Sequence, residues 1–254
     1  MQYLVSHPRF FFVFLLLILW LAAQLGVFCH RLRPLNEDER NDFTVVETAT
    51  LTLLGLIIGF SFSMALSRYD QRKNYEEAEA NAIGTEYLRA DLLPAADGAK
   101  VRALLTNYLD QRILFYTTVD ERKLQQVNAV TAQLQAQMWS AVQAPATAQP
   151  TPVVALVVAG MNDVLNSQGY TQAAWWNRIP VSAWYLMITI GIFSNVLVGY
   201  GAHTSKVRTG LLFTLPLVFS IAFLLIADID SPRAGFINVS PQNLISLSQS
   251  LPRQ

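Results

Sequence analysis

Four runs of apolar residues, which reach or approach the length needed to cross a lipid bilayer, constrain the fold of this chain more than any other feature. A helix needs about 20 consecutive apolar residues to cross the hydrocarbon core. The runs are Phe10–Cys29, Val45–Leu66, Val181–Tyr200 and Leu211–Ala227. Charged residues make up only 14% of the chain, whereas soluble domains have about 25%. The sequence therefore predicts an all-α membrane protein with four transmembrane helices.

More than a hundred residues separate the second run from the third, and they are too polar to lie in lipid. Apolar residues recur there at helical spacing, and Pro94 and Gly98 are expected to end the first helix of this insert. The apolar run 153–165 is too short to span a membrane and predicts a buried or interfacial helix. We predict helices over Arg68–Leu93, Lys100–Val142 and Val153–Leu165, with a proline-rich loop at Ala144–Pro152.

The domain organisation follows from this pattern. Residues 1–67 hold the first and second transmembrane helices, 68–180 the extramembrane helical region, 181–230 the third and fourth transmembrane helices, and 231–254 a C-terminal tail. Neither a proline nor a turn cluster separates the second apolar run from the polar helix that follows it. A single helix is therefore predicted to leave the membrane and continue into water, as part of a long-helix layer inserted between the second and third spans.

The second span carries a stripe of small residues spaced four apart. In lipid, such stripes allow helix backbones to approach closely, so the stripe predicts helix packing. Its members are Gly55, Gly59, Ser63 and Ser67.

Large apolar side chains flank the stripe on both sides. A ring of such side chains can gate ion flow by excluding water, although a core or lipid-facing position is the alternative. One flank consists of Leu56, Phe60 and Met64, the candidate pore-lining residues, and the other of Ile58, Phe62 and Leu66.

Two sets of polar residues in or next to the later spans are further candidates. Asn195 lies in the third span between Gly191 and Gly199, where an interhelical hydrogen bond at a close crossing is expected. Asp228 and Asp230 follow the fourth span and could bind a hard cation through oxygen ligands. We interpret this acidic pair as structural, holding the membrane exit through Arg233 and backbone amides, and we predict no metal site.

The sequence contains no pattern typical of an enzyme. His7, His30 and His203 lack metal-ligand spacing, and no phosphate-binding glycine loop or nucleophile motif is present. Glu76 and Glu77 are interpreted as surface carboxylates of a solvated helix. With 18 basic and 18 acidic residues, the net charge gives no sign of a nucleic-acid partner. We predict neither enzymatic activity nor a cofactor.

The orientation in the membrane is nearly undetermined by charge. Four spans place both termini on the side of the long insert, where six Lys or Arg residues lie close to the membrane, against five on the other side (Arg31, Arg33, Arg40, Lys206 and Arg208). Cys29 is the single cysteine, and a chain without disulfides is typical of a cytoplasmic location for the insert.

Three motifs resemble the bestrophin-like family of bacterial integral membrane proteins: "LLGLIIGFSFSMALSRYDQRK", "EANAIGTEYLRADLLP" and "DIDSPRAGFINVSP". A weaker similarity extends to the bestrophins, pentameric and mainly anion-conducting channels with cytosolic helices between their second and third spans. The resemblance implies that Leu56 and Phe60 occupy positions of a hydrophobic neck. The sequence departs from that pattern at Tyr69 and Asp70, where many bestrophins have paired tryptophans. It also departs after the fourth span, where the long acidic calcium-binding cluster of animal bestrophins is reduced to Asp228 and Asp230.

The resemblance implies a homo-oligomeric, pentameric ion channel for small anions in the bacterial inner membrane, with both termini cytoplasmic and the second span lining the pore. The implied partners are other copies of the chain, the lipid bilayer and small inorganic ions. The alternative is a non-conducting membrane scaffold or sensor whose helical layer binds a partner. A transporter is less favoured because the four spans show no repeated halves.

Overall fold

The computed structural model describes residues 7–202, 208–233 and 235–252; His203 and Lys206, considered above, lie outside the described residues. The described residues form eight α-helices and a short 3₁₀ turn at Ala90–Leu92, without a β-strand. The helices are α1 Pro8–Leu32, α2 Glu37–Arg89, α3 Ala95–Thr117, α4 Glu121–Ala148, α5 Pro152–Trp176, α6 Val181–Gly201, α7 Arg208–Asp230 and α8 Gln242–Ser250.

Four helical stretches are long and apolar enough to cross a membrane, judged by their length and composition. They are Pro8–Leu32, Glu37–Leu92, Pro152–Gly201, which includes α6, and Leu212–Asp230. The predicted all-α fold with four membrane spans is confirmed.

The second span and the polar segment after it form one continuous helix, as predicted. Helix α2 has 53 residues and is therefore about 80 Å long at 1.5 Å per residue. Its first turn contains Glu37, Asp38 and Glu39, whose negative charges stabilise the positive end of the helix dipole. The 3₁₀ turn and Pro94 end the helix.

Gly98 does not interrupt a helix, contrary to the prediction, because α3 begins at Ala95 and continues through Gly98. Its role is close packing: a Cβ added at Gly98 would lie 2.5 Å from the carbonyl oxygen of Ala90. The fold therefore needs the small residue at this position for space.

The single helix predicted over residues 100–142 is in fact two helices. The break falls at Asp120, whose side chain accepts hydrogen bonds from the backbone amides of Arg122 at 2.8 Å and Lys123 at 3.1 Å. Such an N-cap satisfies donors that have no partner inside the new helix. The sequence marks this break with neither a proline nor a glycine.

The proline-rich loop is also shorter than predicted. Helix α4 includes Pro145 and ends at Ala148. Val142 and Pro145 are buried against the rest of the helical layer, so packing outweighs the hydrogen bond that the proline cannot donate. The connection is reduced to residues 149–151, where Thr151 caps α5 and Pro152 occupies its first turn.

One of two compact units comprises residues 1–68 and 178–238 and contains α1, α6, α7 and the first part of α2. Helices α1 and α6 touch through their backbones, because a Cβ added at Gly26 would lie 2.0 Å from the carbonyl oxygen of Val196, and one at Gly199 equally close to that of Ala23. The rings of Phe11 and Trp184 meet edge to face, with centroids 5.4 Å apart. Small residues at such crossings let helices pack closely in lipid.

The other unit comprises residues 69–177 and 239–254 and contains the rest of α2 with α3, α4, α5 and α8. It is built around one apolar core. Fully buried members from four helices include Ile83, Leu105, Tyr108, Met138, Val157 and Met161.

Candidate functional site

The face of the second span that carries the candidate pore residues is uncovered in the protomer. Leu56, Phe60 and Met64 are 53%, 64% and 42% exposed. Only 17% of the most apolar window of this span is buried, against 39% in the first span and 44% in the fourth. The second span therefore has far more free surface than its neighbours.

The small-residue stripe is uncovered as well. A Cβ added at Gly55 or Gly59 would meet no atom within 4 Å, and Ser63 and Ser67 are exposed. The packing partner predicted for this stripe is thus not another helix among the described residues, and its assignment to helix packing stays a prediction.

A narrow buried seam joins the second span to its own unit. The seam consists of Leu54, Ser61 and Ala65, which lie within about 20° of one direction when successive residues are turned by about 100°. On the same measure, Leu56 points roughly 160° away from the seam and Phe60 roughly 120°. Leu56 and Phe60 therefore point away from the seam with their own unit, more so than Met64 at roughly 80°.

Asn195 is fully buried within α6. Its Nδ2 donates to the carbonyl oxygen of Gly191, in its own helix, at 2.8 Å. A Cβ added at Gly191 would lie 3.4 Å from Leu19 and 3.7 Å from Phe223, so α6 is closely packed against both α1 and α7 at this level.

Both acidic residues after the fourth span are buried and engaged by backbone amides. The Asp228 carboxylate accepts from the amides of Phe236 at 2.7 Å and Ile237 at 2.8 Å. The Asp230 carboxylate accepts from the amide of Ile179, at 3.0 and 3.1 Å from its two oxygens. The pair therefore ties the end of α7 to two neighbouring loops.

Arg68 is a member of this arrangement that sequence reasoning missed. Its Nη1 lies 3.7 Å from the nearer Asp230 oxygen. Because 162 residues separate the two side chains, no local pattern could have paired them.

In the described part of the chain, no group of three or more His, Cys, Asp or Glu residues could hold a metal ion.

The carboxylates of Asp228 and Asp230 are expected to bind no divalent cation, because backbone amides already occupy oxygens that a cation would need. Titration calorimetry of the wild-type protein with calcium and with magnesium should show no saturable binding in the micromolar range. Saturable binding that disappears in Asp228→Ala would show that the pair is a metal site.

The helical unit contains a second, fully buried ionic cluster centred on Glu79 of α2. Its carboxylate accepts hydrogen bonds from Arg112 of α3, from the Tyr116 hydroxyl at 3.3 Å and from Thr171 of α5 at 3.1 Å. The Arg112 guanidinium also lies 4.4 Å from the ring centre of Phe115. One carboxylate thus joins three helices.

The electrostatics of this cluster favour the ion pair. Burial alone would lower the pKa of Arg112, but the neighbouring Glu79 carboxylate more than offsets this, and the pKa is raised. Burial, followed by the negative charge of Glu79, raises the pKa of Tyr116. Arg112 therefore stays charged and Tyr116 stays a neutral donor.

Glu76 is not the surface carboxylate that the sequence suggested, because its side chain is buried. Its Oε1 accepts from the backbone amides of Asn243 at 2.9 Å and Leu244 at 3.0 Å, both in the first turn of α8. A carboxylate at a helix N-terminus satisfies free amides and interacts favourably with the helix dipole. Glu77, one residue further on, is exposed as predicted.

The comparisons with known proteins agree with this architecture. A crystal structure of a bacterial bestrophin homolog from Klebsiella pneumoniae matches with a TM-score of 0.67 and 14% sequence identity, over 94% of this chain and 99% of that chain. A point variant of that homolog gives a TM-score of 0.68 at 12% identity, over 93% and 96%. At such low identity the likeness shows the fold alone. No curated protein matches the chain.

The family model described as "Bestrophin-like domain" matches residues 10–244. The match covers the four apolar spans and the part of the helical unit that lies between the second and third. On this ground the chain belongs to the bestrophin-like family.

Proposed function

We propose that this chain assembles into a homo-pentameric ring that conducts small anions, with α2 lining the pore. The observation that carries the proposal is the uncovered face of the second span. Lipid could cover the large apolar side chains of this face, but contact between lipid and glycines or hydroxyl groups stabilises the protein little. Thr52, Gly59 and Ser63 lie on this face and are exposed, which favours a neighbouring helix or water as their environment.

The arrangement of the two surfaces favours a ring. The small stripe and the flank formed by Leu56, Phe60 and Met64 are adjacent faces of one helix, so the stripe can pack against a different surface of the next copy while the flank faces the axis. Such a contact joins different surfaces of identical subunits, and contacts of this kind close into rings. Leu56 and Phe60 would then lie near the axis and form a hydrophobic collar.

Particle images of the detergent-solubilised protein test the assembly directly. We expect rings of five protomers. A monomer or dimer that remains folded would contradict the channel and would favour the alternative, a non-conducting scaffold or sensor whose helical unit binds a partner. Flux of chloride and of sodium into liposomes containing the rings then tests conduction and the preference for anions.

The helical unit and both termini are expected to face the cytoplasm of the bacterial inner membrane. Support comes from the absence of disulfides and from the family resemblance. Cysteines introduced singly at Gln125 in α4 and at Asn36 before α2, in a Cys29→Ala background, are both at exposed positions. An impermeant thiol reagent applied to intact cells should label position 36 and spare position 125. The reverse pattern would invert the topology.

A further inference from the structure

Glu86 differs from the other buried carboxylates of α2. It is fully buried, like Glu79, but neither of its oxygens accepts a hydrogen bond from any described residue. The cation nearest to it is its own-helix neighbour Arg89, whose Nη1 is 4.0 Å away and whose side chain is one-third exposed. Keeping a buried carboxylate ionised without hydrogen-bond donors costs free energy.

The backbone of α5 packs directly on this carboxyl group. A Cβ added at Gly160 would lie 2.0 Å from Glu86 Oε2 and 2.3 Å from Arg89 Nη1. The contact therefore requires a glycine, and it holds the side chain of Glu86 between two helices. Gly160 is flanked on α5 by the core residues Val157 and Met161, so the contact with Glu86 adjoins the apolar core of the helical unit.

Burial disfavours ionisation of the Glu86 carboxyl. Burial is the largest cause that raises the pKa of Glu86, to about 8 from an ordinary value of 4.5; Arg89 opposes this, and the negative charge of Asp163 adds to it. Asp163 lies on α5 and is exposed. Asp91, in the 3₁₀ turn that follows α2, and Arg102, in α3, form an ion pair with each other. The Glu86 carboxyl is therefore neutral at pH 7 while α5 is seated.

We propose that Glu86 and Gly160 form a proton-sensitive contact: the neutral carboxyl lets α5 seat on α2, and loss of the proton loosens α5. This inference concerns the helical unit alone and does not depend on conduction. Its ligand is the proton, and its effect is a change in the stability of one helix–helix contact.

The direction of the effect follows from linkage. When α5 opens and water reaches the carboxyl, its pKa returns toward 4.5. The open form then binds fewer protons than the seated form between about pH 5 and 8, so the opening equilibrium rises by up to about tenfold per pH unit in that window. Below this pH window the neutral carboxyl contributes its full stability to the contact, and above the window that contribution is lost completely.

Hydrogen exchange of the full-length protein tests this proposal. Exchange of the peptide 152–164 is compared between the wild type and Glu86→Gln at the same pH, so that the intrinsic chemical rate cancels. We expect the wild-type rate, relative to the variant, to rise by more than about tenfold from pH 6 to pH 8. Glu77→Gln, at an exposed position of the same helix, should match the wild type at each pH. A ratio that does not change with pH would overturn the proposal.

A second measurement covers the case in which Glu86→Gln fails to fold. Infrared difference spectra between pH 6 and pH 9 report the carbonyl band of a protonated carboxylic acid. This band should disappear in the wild type with a midpoint near pH 8. Removing the exposed charge with Asp163→Asn should move the midpoint to lower pH. Loss of the band already below pH 6, or a midpoint unmoved in Asp163→Asn, would also overturn the proposal.

Discussion

Replacing Glu79 with alanine is expected to lower the free energy of unfolding of the helical unit by about 3–5 kcal/mol, because a buried cation then loses its counterion. Arg112 has no exposed surface, so water cannot replace the carboxylate. The Tyr116 hydroxyl and Thr171 lose their acceptor at the same time, and unpaired buried donors add to the cost. Thermal and denaturant unfolding of the purified protein measure the effect.

Two variants make this test specific. Glu77→Ala removes an exposed carboxylate from the same helix and should change the stability by less than about 0.5 kcal/mol. Glu79→Leu combined with Arg112→Met removes both charges and should recover much of the loss, since apolar side chains of similar volume often replace a buried ion pair without penalty. Equal stability of Glu79→Ala and Glu77→Ala would show that the cluster contributes nothing.

Replacing Phe60 with alanine is expected to raise anion flux into liposomes severalfold. In the proposed ring, one Phe60 from each copy forms part of a collar that water enters reluctantly, and an ion there loses hydration without gaining ligands. Shortening this side chain widens the collar and lowers the barrier. The side chain is 64% exposed in the protomer, so its removal should disturb the protomer itself little.

Phe62→Ala is the matched control, because Phe62 lies two residues away on the other flank and is half-buried. It should weaken packing and assembly without raising flux per assembled ring. Higher flux from Phe62→Ala alone would mean that the opposite flank lines the pore. If the wild type and both variants assemble but pass no ion, the channel proposal fails and the scaffold alternative replaces it.

Local signals in the sequence were sufficient for the spans and for the continuous helix α2. An apolar run of about 20 residues has few alternatives in lipid, and nothing between Leu66 and Tyr69 could stop a helix. The helix ends were less predictable. Asp120 starts a helix without a proline or glycine to mark it, and Pro145 is tolerated in α4 because its surroundings are buried.

The buried charges were beyond the sequence for a different reason. Glu76, Glu79 and Arg112 are residue types that also occur on a solvated helix surface, and charged residues are rarely fully buried unless they are paired. Their partners lie between 33 and 168 residues away. Arg68 and Asp230 are a similar case. Distance along the chain therefore hid the interactions that distinguish these side chains from ordinary surface charges.

The narrow seam between the second span and its own unit has a consequence for how stability can be measured. Three small or medium side chains, Leu54, Ser61 and Ala65, supply the fully buried contacts of this span, so little free energy from its own protomer holds it. If neighbouring copies supply the rest, the stability follows mass action and increases with protein concentration. A melting temperature recorded in detergent would then depend on the protein concentration and lipid content of the sample as much as on the chain itself.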